Sequence, residues 1–415
     1  MSATIVTTKP GSNYGGILQA WALQSFLRKM GIPAEITSPP DVSRRIPIPL
    51  PSALVSLIAL GRKSLSRGNL PRQDTVNNAF EVDAKLAGFV ASKMNVAPFS
   101  EAKRNKNTSI LIVGSDQVWR ASKANMFGYM LGNAYFNNNL TCLSYAASFG
   151  VGDNSEFTPF KTIMTRILST KFNAISVREE SGIQIVKELW GRDDAQWHVD
   201  PTMLLNRAEY DKLIDEEFPG QNSIRLTSPT TGIEISKSAI ELPIASYVLD
   251  KRDDIAEATA VLAASYSSEI NQLLKDTPPN AKAYLADPER YNKISVPAWL
   301  KGIRDAKLLV TDSFHGCVFA ILFHTPFIVV PNGARGRARF DSLLGLFNLT
   351  DRMVDPDLDD FGDTFASIAN QPIGWDSVDA ILQRERERGL KYLRENLQAP
   401  HATQAPTSSR KRVEL

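Results

Sequence analysis

Cysteine is almost absent from the sequence: Cys142 and Cys317 are the only two in 415 residues. Each lies in an apolar stretch, which suits a buried thiol in a reducing compartment and speaks against a disulfide framework. An excess of one charge is also lacking. Lys and Arg number 47 against 45 Asp and Glu, for a net charge of +2, so no overall field selects nucleic acid as a partner. The short cluster Arg410, Lys411 and Arg412 reads as a solvated tail. Long hydrophobic runs are missing. Residues 1–8 have no basic start before an apolar core, so no secretory signal is expected and the cytoplasm is the default address. Residues 46–60 are lipophilic but broken by Pro47, Pro49 and Pro51, too short to span a bilayer. With Arg62, Lys63 and Arg67 behind them, they read either as a buried helix with a solvated basic end or as a helix peripheral to a membrane. No spacing of His, Cys or carboxylates resembles a metal site, and no segment repeats.

What is present is an ordinary globular composition, 43% hydrophobic and 22% charged, carried by alternating strand and helix signals that predict parallel sheets with helices on both faces. Residues 3–8 form an apolar β-branched run. A glycine loop through Asn13, Gly15 and Gly16 follows, then a helix whose face carries Ile17, Leu18, Trp21, Phe26, Leu27 and Met30 and which stops at Gly31. Strands are predicted at 109–113, 140–147, 172–177 and 196–199, with a helix over 179–190. The Pro- and Gly-broken stretch 206–242 separates a second set: a strand at 244–249, helix over 255–274, a strand at 282–285 and a helix opened by Ser295 and Pro297. A complete βαβ unit runs from 307 to 330, a helix covers 340–347, and a last helix is capped by Asp376 or Ser377. The expected architecture is α/β: two Rossmann-like domains facing across a cleft, over 1–205 and 206–374, with a C-terminal helix at 375–397 and a disordered tail at 398–415.

Open parallel sheets bind ligands at the carboxyl ends of their strands, so the polar residues there are the candidates. His315 follows a buried strand, opens a helix and comes just after Asp312 and Ser313; it suits proton exchange or, when charged, a phosphate. Arg178 follows the strand 172–177 at a helix start, where the dipole repels a cation, which points to anion binding. Glu179 and Glu180 suit that dipole without any function. The loop 331–339 collects Arg335, Arg337 and Arg339 after a strand, and Asp116 and Gln117 follow another. Asp116 could accept a proton from a sugar hydroxyl or cap the next turn. His324 is expected to interact with the last carbonyls of its helix, His198 to be structural and His401 to lie in the tail.

Several motifs together resemble the polysaccharide pyruvyl transferases: residues 13–20 (NYGGILQA), 114–119 (GSDQVW), 144–150 (SYAASFG), 176–179 (SVRE), 199–202 (VDPT) and 312–316 (DSFHG). They stand in the family's order and span residues 1–355. The resemblance implies a fold similar to the two-lobed (GT-B-like) glycosyltransferases, phosphoenolpyruvate as co-substrate, and a sugar, oligosaccharide or lipid-linked glycan as acceptor. The product would be a pyruvate ketal, with phosphate released and no further cofactor. It implies His315 as acid or phosphate ligand, Arg178 and Arg339 as donor clamps, Asp116 as acceptor-side base, and Asn13, Gly15 and Gln117 at the acceptor. Relatives carry an arginine two places before the histidine, where this chain has Ser313; Arg337 or Arg339 is expected to compensate. Acceptor choice is expected in loops that include residues 39–80. A nucleotide-sugar glycosyltransferase and an inactive glycan-binding protein would share the fold. Nucleotide binding would mark the first and silence in phosphate release the second.

Overall fold

The computed structural model describes residues 1–40, 82–123, 125–131, 136, 140–220, 242–331 and 336–398. The lipophilic stretch 46–60, nearly all of the expected acceptor loop 39–80, Arg335 and the tail with His401 lie outside the described residues.

The first lobe is built on a parallel sheet of order β2-β1-β3-β4, from β1 (Ser2–Val6), β2 (Ala34–Thr37), β3 (Thr108–Gly114) and β4 (Thr141–Tyr145). β5 (Ser176–Val177) and β6 (Gln196–Trp197) pair with each other, and bridges from Leu143 to Ala174 and from Ala147 to Val177 lay them against β4. The second lobe has a parallel sheet of order β10-β9-β7-β8, from β7 (Ile244–Tyr247), β8 (Ile270–Gln272), β9 (Leu308–Thr311) and β10 (Phe327–Val329).

The helices follow from local chemistry. In α1 (Tyr14–Lys29) the Asn13 side chain caps the first turn by accepting from the Gly15 and Gly16 amides at 2.9 and 3.3 Å. Gly31 takes a left-handed φ of +76° just past its end, as glycine permits. α2 is Ser181–Trp190 and closes on Gly191. In α3 (Val296–Arg304) Ser295 caps the Ala298 amide at 3.1 Å, and Ser313 does the same for α4 (Phe314–Phe323). α5 spans Ala338–Leu346 and α6 Trp375–Gln398.

Two sequence expectations of the second lobe fail together. The helix over 255–274 ends at Ser265, and β8 follows inside that range. The predicted strand 282–285 is instead the short helix Ala281–Ala286, capped by Asn280. β8 is a three-residue, half-exposed edge strand containing Asn271 and Gln272, so it carries neither the apolar run nor the alternation by which strands are read. In the last helix Asp376 and Ser377 stand inside the first turn rather than before it.

One core runs through both lobes. Tyr14 of α1 stacks on Trp299 of α3 with centroids 5.1 Å apart and 7° between planes, and its hydroxyl donates to the Ile294 carbonyl at 2.9 Å. Phe319 of α4 meets Trp299 edge-on at 5.4 Å. Each such buried ring contributes roughly 1.5–3 kcal/mol, so the lobes are held face to face by packing. α6 returns to the first lobe, where Arg386 donates to the Met203 and Leu205 carbonyls at 2.7 and 2.9 Å and Tyr392 to the Ser144 carbonyl at 2.9 Å.

Candidate active site

Because all strands of each sheet run the same way, their carboxyl ends share an edge, and the two edges meet. Thr8 follows β1, Asp116 follows β3, Arg178 and Glu179 follow β5, Asp200 follows β6, and His315 stands in the first turn of α4, after β9.

Asp200 is the hub. It is 1% exposed, accepts from Arg178 Nη1 at 2.9 Å and Ser115 Oγ at 3.2 Å, and faces His315 Nε2 at 3.5 Å. Its other oxygen takes the Thr202 amide and hydroxyl at 3.0 and 2.8 Å. Burial would raise this carboxyl, but His315, Arg178 and the Thr202 amide outweigh it and hold it well below the usual carboxylate range. Asp200 is therefore ionised and faces the imidazole, whose Nε2 is buried without a hydrogen-bond partner. On the other side of the ring lies Gly15: a Cβ there would sit 2.0 Å from His315 Nδ1. Glycine at this place is what lets the second lobe's histidine enter the first lobe.

Two guanidinium groups flank the face of Phe314, Arg178 at 4.7 Å and Arg339 at 5.4 Å from the ring centroid. Arg178 uses one nitrogen on Asp200, while its Nε and Nη2 are buried with no hydrogen-bond partner. Buried guanidinium donors without acceptors are costly, and an anion in the cleft would relieve them. Arg339 is buried too; desolvation first, then Arg178, push its guanidinium down to about 9, against the pull of Glu179 and Asp116.

Asp116 accepts from Thr8 Oγ1 and the Gln117 amide, both at 2.7 Å. Burial opposes its ionisation, but Lys123, Arg178 and these two hydrogen bonds keep the carboxyl below its ordinary value. Gln117 turns its side-chain oxygen to Arg120 at 3.2 Å. Glu179 departs from the expectation of a plain dipole partner. It is fully buried, and one oxygen accepts from the Phe149 amide at 2.6 Å, the Gly150 amide at 3.1 Å and Ser148 Oγ at 3.1 Å, while the other has no partner. Burial raises its carboxyl more than Arg178 and Ser148 lower it.

The cleft thus gathers His315, Arg178, Arg339, Asp116 and Gly15. Ser313 stands beside it as the cap of α4, accepting from the Gly316 amide at 3.4 Å, and Asn13 is the exposed cap of α1. Arg337 is not brought in: it is exposed and paired with Asp355 at 3.3 Å and Asp341 at 3.6 Å. Of the two arginines expected to stand in for one at 313, it is Arg339 that reaches the cleft. His198 is structural, held by Ser176 Oγ at 2.9 Å and stacked on Tyr145, with burial lowering it to about 3. His324 does meet the last carbonyls of α4, its backbone N–H donating to those of Ala320 and Ile321 as its φ of 58° ends the helix, while its ring bonds Asp379 at 2.8 Å and stacks on Trp375. The sequence reading gives no role in the site to Asp200, Phe314 or Glu179. The rule that singles out Asp116 also reaches Asp200, but no linear signal reveals that a carboxylate will be buried between an arginine and a histidine of different lobes. Among the described residues no group of three or more His, Cys, Asp or Glu could hold a metal ion, and no helix is long and apolar enough to cross a membrane.

A family model described as polysaccharide pyruvyl transferase matches residues 13–333. No curated protein matches the chain in sequence. Among solved structures, a putative UDP-N-acetylglucosamine 2-epimerase from Listeria monocytogenes is similar at TM-score 0.49 and 12% identity, covering 96% of this chain and 98% of its own. The glycotransferase of kitacinnamycin is similar at 0.43 and 13%, covering 95% and 98%, and the calicheamicin glycosyltransferase CalG4 at 0.45 and 13%, covering 96% and 100%. These are likenesses of coarse architecture and carry nothing about chemistry.

Proposed function

The chain belongs to the polysaccharide pyruvyl transferase family, and from that premise we propose that it moves a pyruvyl group from phosphoenolpyruvate onto two hydroxyls of a glycan sugar. The observation that carries this reading is the pair of buried guanidinium groups about Phe314, one of them with two donors unmatched. A small, multiply charged anion bearing both a phosphate and a carboxylate is the kind of ligand that such a corner suits.

In the proposed reaction His315, facing Asp200, protonates the methylene carbon of phosphoenolpyruvate as the first sugar hydroxyl adds to the neighbouring carbon. That hydroxyl's proton passes to Asp116, which is ionised and lies on the first-lobe side. Positive character at the attacked carbon is shared with the bridging oxygen of the phosphate ester and offset by the neighbouring carboxylate, with Arg178 and Arg339 holding the anionic groups in place. The second hydroxyl then displaces phosphate, which leaves with that hydroxyl's proton. Atoms balance as phosphoenolpyruvate plus a diol giving a pyruvate ketal plus inorganic phosphate, with no further cofactor in the scheme. A free and a lipid-linked glycan serve equally as acceptor in this reaction, since the same two hydroxyls react in either.

The test is release of inorganic phosphate from phosphoenolpyruvate by the purified chain with and without a panel of glycan acceptors, against nucleotide sugars as donors. Release that needs both partners and falls at least about a hundredfold in His315→Ala supports the reading. Turnover of a nucleotide sugar, or no turnover of phosphoenolpyruvate with any acceptor, overturns it.

A further inference from the structure

Glu179 is fully buried and gathers three donors on one oxygen. The donors belong to the turn at residues 148–150, which continues from β4 toward the second lobe. Gly150 stands there with φ +70°, and a Cβ on it would lie 2.9 Å from the Gln117 side chain, so both backbone and neighbours require glycine. Its carbonyl presses on Gly336 across the cleft: a Cβ at Gly336 would sit 2.2 Å from the Gly150 oxygen, and Gly336 has φ +95°. Two backbones therefore meet at a pair of glycines. Gly336 is the residue from which α5 departs, its carbonyl accepting from the Arg339 amide at 3.4 Å. Two further contacts join the same surfaces. The Glu180 amide donates to Ser342 Oγ at 3.1 Å, and a Cβ on Gly152 would stand 3.5 Å from that of Ala338.

We infer that Glu179 is a positioning residue: by ordering the turn at 148–150 against Gly336, it latches the lobes together and fixes where α5 delivers Arg339. Nothing in this requires Glu179 to touch substrate. The inference rests on the proposed reaction only in naming phosphoenolpyruvate as what Arg339 holds.

The latch is read directly by cross-linking. Gly152→Cys and Ala338→Cys place two thiols at a Cβ separation within disulfide range, and the native Cys142 and Cys317 are buried. In the otherwise unaltered chain this pair oxidises readily. Adding Glu179→Ala, which removes the acceptor, slows oxidation about tenfold, whereas Glu179→Gln, which keeps an acceptor oxygen of the same shape, slows it no more than about threefold. Reduced Glu179→Ala binds phosphoenolpyruvate about tenfold more weakly in calorimetry, and closing the cross-link restores affinity, a rescue that general damage to the fold would not permit. If Glu179→Ala does not fold, Gly336→Ala, which leaves Glu179 in place and wedges the glycine pair, shows the same slowed oxidation. Unchanged oxidation in whichever of these variants folds, damage by glutamine equal to that by alanine, or weakened binding that the cross-link does not restore overturns the latch. Should no form bind phosphoenolpyruvate, the proposed reaction fails, and the oxidation rates alone decide the latch.

Discussion

Arg178 and Arg304 are equally buried, each with a side chain 1% exposed, but they are matched very differently. Arg304, the last residue of α3, donates from Nη1 to Asp211 at 3.2 Å and from Nε and Nη2 to Asp305 at 2.7 and 3.3 Å, so every nitrogen meets a carboxylate. Arg178 gives one nitrogen to Asp200 and leaves two buried without a partner. An unmatched buried donor costs about 1–3 kcal/mol. The contrast separates an arginine whose donors the fold satisfies from one whose donors it leaves open. The surroundings agree: a second guanidinium, that of Arg339, approaches the same ring, and the two like charges repel.

The sharpest way to break that comparison is to remove the saturated partner. Arg304→Ala leaves Asp211 and Asp305 without their common cation and is expected to lower stability by about 3 kcal/mol in urea denaturation. Phosphoenolpyruvate affinity of the folded fraction is expected to stay unchanged; a matching loss of affinity would make the two arginines alike. A buried group of the first lobe, His198, titrates against the fold. Its folded value of about 3 lies below the ordinary 6.5, so the unfolded chain binds an extra proton between those values and stability falls as pH drops through that window. Between pH 7.5 and 4.5 this removes about 2.6 kcal/mol, and His198→Phe is expected to flatten that part of the acid slope at equal m-value.

Much of this contrast was within reach of the sequence and part of it was not. Strand-ending polar residues could be read because apolar β-branched runs such as 109–113 stop abruptly at glycine or charge, so Asp116, Arg178 and His315 stood out, and the structure brings those three together. Arg337 and Arg339 looked alike in the same loop; only the start of α5 decides that the second turns inward while the first pairs with Asp355. Asp200 and Glu179 gain their character from burial between segments far apart in the chain, which no local pattern encodes. β8 escaped notice because an edge strand with Asn271 and Gln272 needs no apolar face.

Smaller effects sharpen the comparison at glycine. Gly15→Ala sets a methyl against His315 Nδ1 and is expected to lower kcat/KM for pyruvyl transfer about tenfold through displacement of the ring. Gly88, in the helix Ala84–Lys93, has nothing within 4 Å of an added Cβ, so Gly88→Ala is expected to raise stability by about 0.5–1 kcal/mol without touching activity. Equal behaviour of the two variants in both assays would remove the special role given to Gly15.

The most direct measurement is a calorimetric titration of phosphoenolpyruvate into the unaltered chain and into Arg178→Lys, which keeps the positive charge but loses the planar fork of donors. Binding to the first and a loss of about a hundredfold in the second is the predicted result. Equal affinity, or no binding to either, would contradict the claim that the unmatched donors of Arg178 belong to the donor substrate.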